Sequence, residues 1–317
     1  MEMGGMFLNI LCYGAVVINP ICYGISEIKN KKKFTIEAGK RIVSSHSTIT
    51  TRTDSSVACT SLCTSDKDCV TASYDNFTKQ CILDSDCTPS TEKWQNAVLI
   101  RISGRPTDCS EIPNGSISGV YKIFANNNCV SVYCDMKGDG WTVIQRRQDG
   151  LTEFYRDWSD YKNGFGSLTG EHWLGNDNIF NIVNGKSYKL RFDIKNKSGE
   201  WRYAQYEIFK IADESEEYKL TLAGYSGNAG DAMLNNKDQR LNLTGQRFST
   251  RDRDNDILPD GQCTSSRRGG WWFKWCSFCN PNGIYFPETV YGTVGIYWYT
   301  WTNSFDGMQS VTMKVKR

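Results

Sequence analysis

Cysteine is the residue type that most limits the folds open to this sequence. The 317 residues contain thirteen cysteines in clustered spacings and only two histidines. This pattern favours an oxidised, disulfide-linked extracellular protein over a cytosolic zinc protein. Four N-x-S/T sequons, which are acceptor sites for N-glycosylation, point the same way. They begin at Asn76, Asn114, Asn196 and Asn242.

Length and charge set further limits. A sequence of 317 residues has room for two domains. The net charge of +2 and the mean hydropathy of −0.50 describe an ordinary soluble surface. They give no reason to expect nucleic acid or an acidic membrane as a partner.

Residues 1–26 predict a signal peptide. Their apolar run, Met6–Ile18, has the length of a signal-peptide core and is shorter than the roughly 20 apolar residues that span a bilayer. We expect cleavage between Cys22 and Ser26, giving a secreted protein without membrane insertion. A signal anchor is the alternative, but the Lys29–Lys33 cluster would give such an anchor the wrong polarity.

Two segments follow. Residues 27–56 are polar and lysine-rich and predict a linker with at most one strand, Phe34–Ile36. Residues 57–104 predict a small folded unit whose core needs support from disulfides.

The cysteines of this unit have a recognisable spacing. Cys59 and Cys63 are four residues apart and share one face of a helix, and Cys69 and Cys81 come later. The pattern resembles an apple or PAN-type module. That resemblance implies the disulfides Cys59–Cys81 and Cys63–Cys69. A small disulfide knot of no particular family is the alternative.

A series of motifs runs in order through residues 106–317. They are DCSEI from Asp108, SGVYKIF from Ser118, VYCDM from Val132, DGWTVIQRRQDG from Asp139, FYRDWSDYKNGFGSLTGEHWLGND from Phe154, AGYSGNAGDAM from Ala223, FSTRDRDND from Phe248, GGWW from Gly269 and MKVKR from Met313. Together they resemble a fibrinogen-related domain, the globular module of fibrinogen chains, ficolins, tachylectins, angiopoietins and tenascins. The resemblance implies an α+β fold with a central antiparallel sheet and a loop-rich subdomain that carries calcium and a ligand pocket. It also implies the disulfides Cys109–Cys134 and Cys263–Cys276.

The residues themselves agree with such a fold. Runs such as GWTVIQRR and SYKLRFDIKN alternate apolar and polar residues, as antiparallel strands with one solvated face do. Short helices are expected at Glu171–Leu174 and Asp177–Val183, and GGWW is expected in the core. His172 lies in an aromatic run and is expected to be packed in the core rather than catalytic. We therefore do not expect an enzyme.

Carboxylates at alternate positions suggest a cation site. Asp252, Asp254 and Asp256 could direct oxygen atoms at one hard ion such as Ca²⁺. An EF-hand is excluded, because counting from Asp252 places Ile257 where that loop needs glycine and Cys263 where it needs glutamate.

The family resemblance implies a calcium site of another kind. Its side-chain ligands would be Asp254 and Asp256, and its backbone carbonyl ligands would be Leu258 and Asp260. Asp252 would support the loop. A solvated acidic turn is the alternative.

The resemblance also implies a ligand pocket. Its residues would be Arg267, Trp275, Cys276, Ser277, Tyr291 and Gly292, and the bond before Cys276 is often cis in the family. Relatives that bind acetyl groups have tyrosine and histidine where this sequence has Arg267 and Ser277. Because arginine offers a cationic fork for carboxylate or sulfate, an anionic ligand is favoured over an N-acetyl group. The alternative is a pocket that no longer binds, with recognition by other loops.

Three cysteines of the folded units remain: Cys87, Cys129 and Cys279. We expect Cys129 to pair with Cys279, which would leave Cys87 for an intermolecular bridge and a disulfide-linked oligomer.

Together these features predict a secreted, calcium-dependent, lectin-like recognition protein. It would bind glycans or cell-surface glycoproteins, including acetylated or anionic ligands, in innate defence. The alternative is an extracellular matrix or receptor-binding ligand in which calcium is only structural.

Overall fold

The computed structural model describes residues 33–45, 47–66, 69–87, 89–126, 128–234, 242–288 and 292–317. The predicted signal peptide and Tyr291 lie outside these residues. The protein divides into two compact units, Met1–Arg105 and Pro106–Arg317.

The described part of the first unit is one antiparallel sheet with one helix on it. Its elements are β1 (Lys33–Ile42), β2 (Thr48–Arg52), α1 (Ser56–Ser65), β3 (Thr71–Asp75), β4 (Gln80–Asp84) and β5 (Thr91–Ser103). The strand order is β1-β5-β3-β4-β2. The hydroxyl of Ser55 caps α1 by accepting a hydrogen bond from the backbone N–H of Ala58. The disulfides Cys59–Cys81 and Cys63–Cys69 join α1 to β4 and to the segment before β3, as the PAN resemblance implied.

The prediction of a linker at residues 27–56 was wrong for most of its described part, although the one strand expected there, Phe34–Ile36, lies within β1. Strand β1 pairs with β5 along its length, and β2 pairs with β4. Both are edge strands of the sheet. Edge strands carry charged and polar side chains, and this is why their composition looked like that of a linker. Phe34 and Ile42 are the two β1 side chains that are almost fully buried.

The second unit is built on a larger antiparallel sheet. Its strands are β6 (Gly119–Ala125), β7 (Asn128–Asp135), β8 (Trp141–Arg147), β9 (Phe165–Gly166), β10 (His172–Trp173), β11 (Tyr188–Asn196), β12 (Trp201–Ile211), β13 (Leu220–Gly227) and β14 (Met308–Lys316). Its helices are α2 (Trp158–Asn163), α3 (Asn176–Val183), α4 (Cys263–Arg267) and α5 (Tyr299–Thr302). Among the described residues the main path runs β13-β12-β11-β14-β8-β10-β9, and the β6–β7 hairpin joins at β8.

The alternating runs form strands as predicted, at β8 and β11. On β11 every second residue is buried, from Tyr188 to Ile194. The helix predicted at Glu171–Leu174 is wrong, because His172 and Trp173 form a strand that bridges β8 and β9. The helix predicted at Asp177–Val183 is α3.

A buried ion pair connects this sheet to the loops at the C-terminal side of the unit. Arg147 ends β8, and its Nε lies 3.2 Å from Oε1 of Glu171. The Glu171 carboxylate also accepts hydrogen bonds from the backbone N–H groups of residues 148, 149, 150 and 152. Arg147 donates in addition to the carbonyl of Gly283. Burial raises the pKa of Glu171, but Arg147 and the N–H donors outweigh it, and the net shift is downward.

The GGWW run lies in the core, as expected. Trp271 and Trp272 are fully buried, and Trp272 Nε1 donates to the carbonyl of Tyr218 at 2.7 Å. A Cβ on Gly270 would lie 2.7 Å from the Tyr161 ring, and the N–H of Gly270 donates to the Tyr161 hydroxyl. Glycine is required there because the backbone passes directly over that ring.

The pairing expected for the last three cysteines was wrong. Cys129 and Cys87 are both disulfide-bonded, whereas Cys279 is a free thiol. Cys279 is fully buried, and burial raises its pKa to about 12. Cys87 is therefore not the spare thiol on which the predicted intermolecular bridge depended. The disulfides Cys109–Cys134 and Cys263–Cys276 are present as the resemblance implied.

Candidate functional site

The acidic stretch predicted as a calcium site forms a loop anchored on the buried tryptophan core. Ser249 and Trp271 form a backbone bridge, and the N–H of Ile257 donates to the carbonyl of Lys274 at 2.8 Å. The Cys263–Cys276 disulfide closes the far end. These contacts fix residues 249–263 beside the segment 271–276, so the predicted cation loop and the predicted pocket adjoin each other.

Two carboxylates of this loop interact directly. Oδ1 of Asp256 accepts from the N–H of Leu258 at 2.8 Å, and Oδ2 accepts from the N–H of Cys263 at 2.7 Å. Oδ1 of Asp254 accepts from the N–H of Asp256. Burial is the main reason that the pKa of Asp256 rises to about 6, and the neighbouring Asp254 raises it further. No ion pair between described residues includes either carboxylate, so the pair has no cationic partner in the described part of the protein.

Asp252 has a different role. Its Oδ1 accepts from the N–H of Trp158 at 2.8 Å and from the Thr250 hydroxyl at 2.6 Å. Trp158 is the first residue of α2, where a backbone N–H lacks a partner within the helix. Asp252 thus caps α2 and holds the start of the loop, consistent with the supporting role expected for it.

The donor set fits a hard cation only if the backbone contributes. In the part of the protein that the structure describes, no group of three or more His, Cys, Asp or Glu side chains is placed to hold a metal ion. Calcium takes six to eight oxygen ligands, including backbone carbonyls and waters. The carbonyls of Leu258 and Asp260 accept no hydrogen bond from the described residues. Two carboxylates without a countercharge and two available carbonyls match the chemistry that calcium requires.

Arg267 is the most distinctive residue of the predicted pocket. It ends α4, and its carbonyl accepts from Nδ2 of Asn280 at 2.8 Å. Its Nε is buried and has no hydrogen-bond partner in the described structure, and its Nη1 makes a long contact of 3.3 Å to the Ser266 hydroxyl. No carboxylate of the described residues pairs with it. Arg267 therefore holds a partly buried positive charge that no salt bridge within the described residues neutralises.

The residues around Arg267 form a rigid support. Tyr297 is almost fully buried and donates from its hydroxyl to the carbonyl of Ser277 at 3.0 Å. Burial raises the pKa of Tyr297, and the adjacent Arg267 opposes that rise. Asn280 is fully buried and donates to three carbonyls, those of residues 267, 293 and 295. The sequence motifs pointed to neither Asn280 nor Tyr297. Both residues are uncharged, and neither is one of the predicted pocket residues.

The other predicted pocket residues that the structure describes differ in exposure and in backbone conformation. Ser277 is 3% exposed, and its hydroxyl accepts from the N–H of Cys279, so it faces inward. Trp275 is 40% exposed. The peptide bond before Cys276 is trans rather than cis, and Cys276 has a left-handed φ of 52°. Gly292 has a φ of 158° and donates its N–H to the carbonyl of Phe305.

His172 is a core residue, as expected. It is 1% exposed, and its Nδ1 lies 3.2 Å from the carbonyl of Gly170. Burial, together with the nearby Arg146, lowers the pKa of His172, although neighbouring backbone carbonyls oppose this. The ring is therefore neutral and is remote in sequence from the acidic loop.

The predicted glycosylation sites differ in exposure. Asn76 and Asn114 are exposed, whereas Asn196 and Asn242 are half-buried. In Asn196 and Asn242 the Oδ1 atom accepts local hydrogen bonds, from Glu200 and Thr244 respectively. The Nδ2 atom, which would carry the sugar, makes none of these bonds.

The fold and its disulfides define the class of this protein. The family model described as fibrinogen beta and gamma chains, C-terminal globular domain, matches residues 105–317, and the PAN domain model matches residues 32–102. The protein belongs to the fibrinogen-related family, with a PAN domain before the fibrinogen-like domain. The PAN match begins before β1, in agreement with the position of β1 and β2 in the first sheet.

Individual relatives are closely similar over the second unit. Human fibrinogen-like protein 1 is 43% identical over 223 residues, which are 66% of this chain and 71% of that protein. The fibrinogen-like globe domain of human ANGPTL2 is 36% identical, with a TM-score of 0.62 over 67% of this chain and 98% of that one. Lamprey fibrin D-dimer in complex with the peptide Gly-His-Arg-Pro-amide is 35% identical, with a TM-score of 0.61 over 66% of this chain and 73% of that one.

In the described residues, no helix combines the length and the apolar character needed to cross a membrane.

Proposed function

We propose that this is a secreted recognition protein whose fibrinogen-like domain binds a protein ligand that presents a carboxylate at Arg267. Calcium would stabilise the adjacent loop without contacting the bound ligand. Three comparisons support a protein ligand: the similar proteins are a fibrinogen-like protein, an angiopoietin-like globe domain and a fibrin fragment bound to a peptide. None of these names refers to a lectin, so they favour the receptor-binding or matrix alternative over the glycan-binding prediction.

The observation that carries the proposal is the unpartnered Nε of Arg267. A buried donor without an acceptor costs about 1–3 kcal/mol, and more when it is charged. A carboxylate from a ligand would lower that cost by neutralising the guanidinium through its outer Nη atoms, since Nε itself is enclosed and guanidinium binds carboxylates strongly. Asn280 holds the Arg267 backbone and Tyr297 packs beside its side chain. The arginine is thus preorganised for an anionic group.

Surface plasmon resonance with synthetic peptides would test this proposal. The peptides would come in matched pairs that differ only in glutamate against glutamine, or in a free against an amidated C-terminus. We expect the acidic member of a binding pair to bind at least about tenfold more tightly, since a charged hydrogen bond contributes about 1.5–3 kcal/mol. Arg267→Gln should abolish the preference.

Arg268→Gln is the matched control. Arg268 is the next residue, is exposed and stacks on the Tyr155 ring at 5.0 Å. This variant should keep the acidic preference. Equal binding of acidic and neutral peptides would contradict the proposal. Binding to sialylated or sulfated glycans on an array, without any peptide binding, would support the lectin-like prediction instead.

The proposal of a calcium site rests on the oxygen atoms that the acidic loop offers as ligands. Asp254 and Asp256 would supply carboxylate oxygens, and Leu258 and Asp260 would supply carbonyl oxygens. The raised pKa of Asp256 supports this, because burial, and to a lesser extent the adjacent Asp254, disfavour its negative charge, and a bound cation would offset both. Isothermal titration with CaCl₂ should show binding in the natural protein and none in Asp254→Asn. Asp260→Asn should still bind, since its expected ligand is the backbone carbonyl.

A further inference from the structure

Two aromatic side chains are exposed near the end of β3 in the first unit. Phe77 lies in the turn between β3 and β4 and is 81% exposed, and Trp94 on β5 is 38% exposed. A single exposed apolar residue is common on folded proteins, whereas large apolar groups exposed together mark a surface that a ligand or a partner covers. We call Phe77 and Trp94 the aromatic surface.

The carboxylate of Asp75 connects the two residues of the aromatic surface. Its Oδ2 accepts a hydrogen bond from Nε1 of Trp94 at 3.0 Å, and its Oδ1 accepts from the backbone N–H of Phe77 at 2.9 Å. The guanidinium of Arg41 also lies over the Trp94 ring, 3.4 Å from its centroid. The Trp94 ring and the Phe77 backbone are therefore held in place before any ligand binds.

Asn76 lies in the same turn and begins a sequon that ends at Thr78. Its backbone N–H donates to the carbonyl of Asn96 at 2.9 Å, and its Oδ1 accepts from Nζ of Lys79 at 3.0 Å. The side chain is exposed, and its Nδ2 donates no hydrogen bond to the described residues. The atom that would carry a sugar is thus accessible and lies one residue before Phe77.

The position of the sequon favours a sugar over a protein as the group that covers the aromatic surface. A partner protein, or a second copy of this chain, would have to bury Asn76 together with Phe77, because the two are adjacent in one tight turn. An oligosaccharide on Nδ2 is bulky and solvated and would exclude such a partner. The faces of aromatic rings carry partial negative charge, and the C–H groups of a pyranose ring carry partial positive charge. The apolar face of a sugar can therefore pack on Phe77 while its hydroxyl groups stay in water.

We propose that an N-linked oligosaccharide on Asn76 covers the aromatic surface, with the C–H face of its first N-acetylglucosamine packed on the Phe77 ring beside Trp94. The donor is a lipid-linked oligosaccharide diphosphate. Nδ2 of Asn76 forms a bond to the anomeric carbon of the sugar and releases one proton, while the bond from that carbon to the phosphate oxygen breaks and the lipid diphosphate leaves. The proposal rests on the secretion proposed above, which brings the chain to this donor, and not on ligand binding at Arg267.

Nuclear magnetic resonance of the full-length protein from a eukaryotic secretory host tests the contact. An endoglycosidase that leaves one N-acetylglucosamine on each modified asparagine reduces the signals to one sugar ring per site, and Asn76→Gln identifies the ring on Asn76. Some C–H protons of that ring should lie upfield of those on Asn114, because they sit over an aromatic face. Phe77→Ser keeps the sequon and removes the ring of Phe77, so the upfield displacement should largely disappear while the sugar stays attached.

Leu62→Ser is the matched control. Leu62 is an exposed apolar residue of α1 in the same unit, and its replacement should leave the displacement unchanged. A displacement that is the same in Phe77→Ser as in the natural protein overturns the proposal.

Peptide mapping by mass spectrometry gives the second test, because it shows which asparagines are modified. An unmodified Asn76 overturns the proposal. A glycan on the exposed Asn114 in the same sample would show that the chain entered the secretory pathway, so this failure is distinguishable from failure of the function proposed above. If the unmodified protein sediments as a dimer and Phe77→Ser as a monomer, the aromatic surface belongs to an interface between two copies instead.

Discussion

The second unit contains two buried or half-buried acidic sites that are built in opposite ways. Glu171 is 2% exposed and receives Arg147 and four backbone N–H groups. Asp256 is half-buried, receives two N–H groups and faces a second carboxylate instead of a cation. The pKa of Glu171 is lowered, and that of Asp256 is raised. One site is electrostatically complete, and the other lacks a positive charge.

This difference separates structural acid residues from those available for binding. A carboxylate whose lone pairs and charge are satisfied within the fold stabilises that fold and has little left for a ligand. A carboxylate pair without a counter-charge weakens the fold until a cation arrives. Removing a charge should thus have opposite consequences at the two sites.

The largest effect is expected at Glu171. Glu171→Gln would leave the Arg147 guanidinium buried without its counter-charge, and breaking a buried pair in this way costs about 3–5 kcal/mol. The loss should be the same with calcium and with chelator. Urea unfolding followed by tryptophan fluorescence reports this unit, because every tryptophan except Trp94 follows Pro106. The double variant Arg147→Met/Glu171→Gln should recover part of the loss; a calcium-dependent loss would show that the two acidic sites are not independent.

The second effect concerns the calcium loop. Asp254→Asn should abolish stabilisation by calcium, which for a ligand at one hundred times its dissociation constant is about 2.7 kcal/mol. In chelator the same variant should be at least as stable as the natural protein, because the repulsion of Asp256 is removed. Melting curves with CaCl₂ and with EDTA measure both quantities. A variant destabilised equally in the two buffers would place Asp254 with Glu171 as a structural residue.

Sequence reasoning predicted those features that local motifs encode. Four disulfides, the strands β8 and β11 and the burial of Trp271 and Trp272 were anticipated, the disulfides through the family resemblances. The bonding of Cys87 and Cys129 was not anticipated. Strand β2 and most of β1 were missed, because a charged edge strand has the composition of a linker and is recognised only through its pairing partner.

The site was only partly predictable for a related reason. The acidic loop can be found from its spacing, but the charge state of its carboxylates depends on burial and on neighbours. Asn280 and Tyr297, which hold Arg267, contact it across sequence separations that no local pattern reveals. The disulfide predicted for Cys279 rested only on the number of cysteines left unassigned. That number cannot show that the thiol is enclosed by the core.

The third effect is a pH dependence in chelator. The ordinary pKa of an aspartate is 3.8, and in the folded protein that of Asp256 is about 6. The folded state therefore holds this proton more tightly, and its contribution to stability grows as the pH falls from 7 toward 4. After allowance for its partial exposure the gain is about 1–2 kcal/mol. His172 acts in the opposite direction below pH 6.5, since its pKa is lowered. The comparison of urea midpoints with those of Asp256→Asn isolates the aspartate, and identical pH profiles would contradict the raised pKa.

The smallest effect is expected at Asp252, which lies in the acidic loop but resembles Glu171 in its contacts. Its Oδ1 caps α2 through the N–H of Trp158 and also accepts from Thr250. Asp252→Ala should cost about 0.5–1 kcal/mol, as loss of an exposed helix cap does. Calcium affinity should be unchanged, because Oδ1 of Asp252 is held at the start of α2 and the family resemblance gives this residue a supporting role rather than that of a ligand. Isothermal titration of the variant with CaCl₂ tests this. A large loss of calcium affinity would make Asp252 a third calcium ligand. Asp252 would then belong with Asp254 and Asp256 as a binding carboxylate, and not with Glu171 as a structural one.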